Sequence, residues 1–113
     1  MATPIDIPTL INDMKNAATS ILKKDVTTLD GFSERQIKDI AQQAAQISLG
    51  IASGEITAET KDFFLDNLKE MTRNLAATLA GMVAVTVESL WNALVGVLWK
   101  AISAATGVGL NIP

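Results

Sequence analysis

Glu59, Asp62, Asp66 and Glu70 recur at spacings of three, four and four, which places four carboxylates on one helix face, where they could offer oxygens to a hard cation. Neither an Asp-rich calcium loop nor a Glu-x-x-His pair accompanies them. Lys69 and Arg73 stand beside them, so the row reads as a solvated, charge-compensated face. The chain has no His, Cys or Tyr, which removes the usual general base, the thiol nucleophile and most metal-site arrangements. No Gly-rich loop ending in Lys-Ser/Thr is present to cradle a phosphate. No catalytic residue, cofactor or metal is therefore assigned, and neither an enzyme nor a small-molecule substrate is expected.

Glu88 is the polar residue with most to explain, being the only formal charge between Arg73 and Lys100. On a helical wheel it falls in one narrow stripe with Asn74, Thr78, Gly81, Val85, Asn92, Gly96 and Trp99, at spacings of three and four. Two readings follow. In a soluble bundle Glu88 is the wet face of its helix. In an assembly, copies of the stripe line an oligomer contact or a lumen, where polar groups meet protein or water and not lipid. Trp91 and Trp99 serve either as packing residues or as interfacial anchors. Ala76, Ala77, Ala80 and Ala84, with Gly81, Val85 and Gly96, resemble small-residue surfaces that let transmembrane helices approach closely, although no strict Gly-x-x-x-Gly occurs.

The elements positioning these residues are all helical. Thr3-Pro4 or Ile7-Pro8 opens the first, since Pro suits a first turn. Ile7, Leu10, Ile11, Met14, Ala17, Ala18, Ile21 and Leu22 then mark one apolar face to about Lys24. A connector follows, with a turn near Asp30-Gly31. Ser33-Glu34-Arg35-Gln36 fits a capping box in which Ser33 and Gln36 satisfy each other's backbone N–H. Helix two continues with Ile37, Ile40, Ala44, Ile47 and Ile51, a seam of coiled-coil type against helix three. Gly54 ends it and Thr57 caps the next, a connection short enough for an antiparallel hairpin.

From Ala58 to about Ala105 no Pro occurs, and an unbroken helix there would span roughly 70 Å. Either it is continuous, which is slightly favoured, or it breaks between Gly81 and Ser89 to give a four-helix bundle. Gly107 stops it, leaving residues 108–113 as a tail. The expected fold is all-α, one domain over residues 1–113: polar amphipathic helices to residue 73, then an apolar helix over 74–106.

Of the charged residues only Glu88 and Lys100 lie beyond Arg73, while hydrophobic residues make up 49% of the 113-residue chain. That asymmetry favours membrane contact or self-association. A pI near 4.7 and the lack of a basic cluster argue against nucleic acid. The first residues have no basic region followed by an apolar one and do not read as a secretory signal. A lone helix over residues 79–99 is about break-even for bilayer insertion, and Lys61, Lys69 and Arg73 before it would weakly favour a cytoplasmic N-terminal half. The expectation is a non-catalytic homo-oligomer whose apolar helix enters a membrane or lines a conduit, as in a virion or secretion apparatus. The alternative is a soluble structural or scaffolding homo-oligomer using the same surface between subunits.

Overall fold

The computed structural model describes residues 4–29, 31–83 and 85–107. Thr3, Asp30 of the expected turn, Ala84 of the small-residue set and the expected tail at 108–113 lie outside the described residues. The fold is all-α: α1 (Ile7–Leu22), a short 3-10 turn (Val26–Thr28), α2 (Glu34–Ser53), α3 (Ala58–Ala80) and α4 (Val87–Thr106).

The long C-terminal helix is broken. It stops at Ala80 and resumes at Val87, so the slight preference for continuity is corrected in favour of the four-helix alternative. The break lets α4 fold back along α3 and pack on α1, α2 and α3 together. Leu90, Leu94, Val95, Leu98, Trp99 and Ile102 are all buried. The wide apolar circumference of α4, too broad for a helix with one covered side, is thus covered on three. The start of α1 and the ends of α2 and α4 share one end of the molecule, where Pro4 and Ile5 meet Leu49, Ala52 and Ala105. The helices therefore run alternately up and down, with α2 and α4 parallel to each other.

Local signals set most helix ends. Pro8 stands in the first turn of α1, behind the N-cap Asp6, and the helix ends one residue before Lys23, which is left-handed at φ 57°. Asp25 heads the 3-10 turn. Hydrogen bonds from the Thr27 hydroxyl and then the Thr27 N–H hold its carboxyl below the ordinary carboxylate range, so any stability it contributes is present at neutral pH and lost only as pH falls through that lowered value.

The capping box expected at Ser33 does not form as drawn: its hydroxyl accepts from Arg35 N–H at 3.3 Å, one residue short of Gln36. The reciprocal box forms instead on α3. There Thr57 Oγ1 accepts from Thr60 N–H at 3.3 Å, and Thr60 Oγ1 accepts from Thr57 N–H at 3.0 Å. Thr60 thus fills the position usually held by Glu or Gln, its hydroxyl oxygen accepting the N-cap N–H.

In the α2 seam Ile37, Ile40, Ala44 and Ile47 are buried and Ile51 is half-buried. The sequence pattern predicts a seam against α3 alone, whereas α2 packs on α1, α3 and α4.

Two glycines inside helices make opposite predictions. A Cβ on Gly96 meets nothing within 4 Å, so Gly96→Ala should stabilise by about 0.5–1 kcal/mol through helix propensity alone. At Gly50 a Cβ would stand 2.5 Å from Ile56 Cδ1 and 2.7 Å from its Cγ1, where Ile56 N–H also donates to the Gly50 carbonyl at 2.9 Å. Ile56 is β-branched and turns aside only at a cost, so Gly50→Ala should forfeit that gain and destabilise by roughly 1 kcal/mol. Urea unfolding of both variants checks the contrast.

Candidate functional site

The polar residues singled out in the sequence meet along the α3–α4 face. Because α4 runs back along α3, Arg73 comes level with Glu88. Its Nη2 and Nη1 donate to Glu88 Oε1 at 2.9 and 3.2 Å, and its guanidinium lies 5.1 Å from the centre of the Trp91 ring. One turn earlier on α3, the Lys69 carbonyl accepts from Trp91 Nε1–H at 3.2 Å. The Lys69 ammonium sits 3.5 Å from Asp66 Oδ1 and 6.0 Å from the Trp99 ring. Asp66, Lys69, Glu70, Arg73 and Trp91 line an open hollow of about 360 Å³.

Each cation here is answered by a carboxylate and an aromatic face, so the hollow offers no unmet positive charge to an anion. Its chemistry is that of a clasp between two helices. Cation–π contacts at such exposed sites contribute about 0.5–1 kcal/mol and an exposed ion pair about 0.2–1 kcal/mol. The Glu88 carboxylate also faces the positive end of α4 from its first turn.

The stripe of eight residues does not survive as one line, because the break at 81–86 divides it between two antiparallel helices. Asn74 and Thr78 are exposed on α3, and Glu88 and Asn92 on α4; Gly81 is exposed at the end of α3, while Val85 and Gly96 are half-buried. Trp99 leaves the stripe altogether, being 3% exposed and part of the core. It cannot line a lumen in this bundle. Both tryptophans pack. Glu88 is on the wet face, its side chain 66% exposed.

Arg73 is what sequence reasoning missed. It lies fifteen positions before Glu88, out of reach along one helix, and becomes its neighbour only once the chain turns back. Glu88→Gln should therefore lower stability by about 0.5 kcal/mol in dilute buffer, and the difference should disappear in roughly 1 M salt. Thermal melts at the two ionic strengths read it.

Glu59, Asp62, Asp66 and Glu70 are all exposed, and among the described residues no group of three or more acidic side chains is placed to hold a metal ion. Nor is any described helix long and apolar enough to cross a membrane. The stretch 79–99 contains the break between α3 and α4. Among the described residues, Phe63 and Leu49, at 71% and 59% exposure, are the large apolar side chains left in water. Phe63 rests edge-on against Phe64, ring centres 5.5 Å apart, and single apolar residues of this kind are ordinary surface.

No protein-family model, curated protein or solved structure matches this chain. The functional reading thus rests on its own residues.

Proposed function

We propose that this chain is a non-catalytic, self-associating structural protein, a helical scaffold part whose recognition surface is α4. The observation that carries this reading is that α4, with charges only at Glu88 and Lys100, fits against all three other helices at once. That is the most extensive apolar complementarity on offer, and a second copy of the chain carries the same cover. The residue inventory supports the non-catalytic part: the chain has no His, Cys or Tyr, and the α3–α4 hollow, lined by Asp66, Lys69, Glu70, Arg73 and Trp91, holds no hydroxyl or thiol nucleophile beside a base. The membrane-entering version requires α4 to leave this cover and carry Glu88, Asn92 and Lys100 into or to the edge of the lipid, which is costly. A protein interface is the better home.

Light scattering on the purified chain across a wide concentration range, without detergent and with anionic phospholipid vesicles, tests the proposal. A discrete oligomer that ignores vesicles is expected. A monomer at every concentration would sink it, and a monomer that floats with vesicles would turn the reading to the membrane.

A further inference from the structure

We infer that two copies of this chain exchange α4, with residues 81–86 straightening so that α3 and α4 of each copy become one helix. This rests on the self-association proposed above and names its geometry.

The inference begins with how the helices end. α1, α2 and α4 each stop at a left-handed residue: Lys23 at φ 57°, Gly54 at 84° and Gly107 at 75°. Such a residue turns the chain out of the helix and is a local stop. α3 has none. Its last cap, Gly81, keeps right-handed helical angles, φ −70° and ψ −18°. Its N–H still donates to the Ala77 carbonyl at 3.1 Å, and the next N–H, of Met82, reaches Leu79 at 3.0 Å. Among the described residues of 81–86 none has positive φ, and no Pro stands anywhere between Ala58 and Thr106. Among the described residues of the connection, no left-handed residue and no Pro bars a helix through it.

What holds the turn is one backbone bond of its own, from Val85 N–H to the Val83 carbonyl at 2.8 Å, together with what surrounds it. Thr86 caps α4 by accepting from Ser89 N–H at 3.2 Å, and Met82, Val83 and Val85 lean half-buried on the core. Exchange gives up these contacts and gains the backbone bonds of a continuous helix. It keeps the rest, because Leu90, Leu94, Leu98 and Ile102 of one copy meet in its partner the same α1–α3 surfaces they meet at home. α3 and α4 already lie antiparallel, so two continuous helices related by a two-fold axis place each α4 beside the partner's α3 without new packing. The second copy is thus the occupant that fits the cover α4 vacates.

Two neighbouring substitutions push the exchange in opposite directions while both suit the closed bundle's backbone. Val87 is the first residue of α4, where Pro is well accommodated, and Thr86 before it is extended at ψ 147°, as a residue preceding Pro should be. In a continuous helix the same Pro is interior and breaks it. Thr86→Ala removes a cap that only the closed form uses and puts a better helix former in the connection.

The experiment refolds wild type, Thr86→Ala and Val87→Pro at high concentration and sizes them by light scattering, with circular dichroism to verify folding. We expect wild type to give a dimer that reverts slowly on dilution, Thr86→Ala to raise the dimer association constant tenfold or more, and Val87→Pro to be monomeric with unchanged helicity. A dimer equally populated in folded Val87→Pro overturns the exchange but leaves self-association standing. Monomers throughout, Thr86→Ala included, overturn both. Should Val87→Pro lose its helicity, small-angle scattering of the wild-type dimer decides: a helix from Ala58 to Thr106 is about 74 Å long, against a longest extent of 41 Å for the closed bundle. A dimer no longer than two bundles side by side rules the exchange out.

Discussion

Leu94→Ala is expected to lower the unfolding free energy by about 3–5 kcal/mol, a large share of the roughly 5–15 kcal/mol a domain has to lose. Leu94 is fully buried in the middle of α4, the helix that touches all the others, so the void it leaves is walled on three sides and cannot close by shifting one neighbour. The cost is therefore set near the upper part of the range for such truncations. Urea unfolding followed by circular dichroism measures it. The same residue also bears on assembly. Leu94 meets equivalent surroundings in the closed bundle and in an α4-exchanged dimer, so Leu94→Ala should weaken both forms together and leave the monomer–dimer ratio of the surviving folded protein near that of wild type. A loss below 1 kcal/mol would mean that α4 is not held at the centre.

Trp99→Ala should cost about 3–5 kcal/mol, against about 1–2 kcal/mol for Trp91→Ala. The two rings sit eight positions apart on one helix, so composition and spacing treat them alike. Burial does not. Trp99 is 3% exposed and sits in the core, whereas Trp91 is half-buried beneath Arg73, with its indole N–H spent on the Lys69 carbonyl. Removing Trp99 opens a large internal void; removing Trp91 loosens the clasp between α3 and α4 and admits water. Equal costs would contradict the inward turn of Trp99. The tryptophan fluorescence of the two variants gives a second reading, since the indole left in Trp91→Ala should emit at shorter wavelength than the one left in Trp99→Ala.

These two residues also show where sequence reasoning stops. The periodicity of Ile37, Ile40, Ala44 and Ile47 already marks the buried face of α2, because every partner in that pattern lies within a few residues. Thr57, Gly54 and Gly107 announce helix ends for the same reason: a cap is a bond or a dihedral spanning one turn. The Ser33 cap was placed correctly and its partner missed by one residue, since a serine hydroxyl can reach either of two neighbouring N–H groups. Trp99 was set on a polar stripe because an unbroken helix projects it there. Glu88, Asn92 and Trp99 share α4, so no rotation of that helix separates them; Trp99 is covered because it lies further along α4, where Lys69 of α3 stands 6.0 Å over its ring.

By itself, then, the sequence determined an all-α chain, the positions of α1 and α2, the start of α3, the end of α4 and a chemistry too sparse for the usual catalytic designs. Only the tertiary structure decided that α3 ends at Ala80, that Arg73 meets Glu88 and that Trp99 faces inward. The reason is one of range and magnitude. Continuing the helix through 81–86 would gain a handful of backbone hydrogen bonds at about 1 kcal/mol each. Folding α4 back buries six large side chains, from Leu90 to Ile102, at about 1.5–3 kcal/mol apiece. That sum, on the order of 10 kcal/mol, belongs to contacts between residues far apart in the chain, and no local pattern records it.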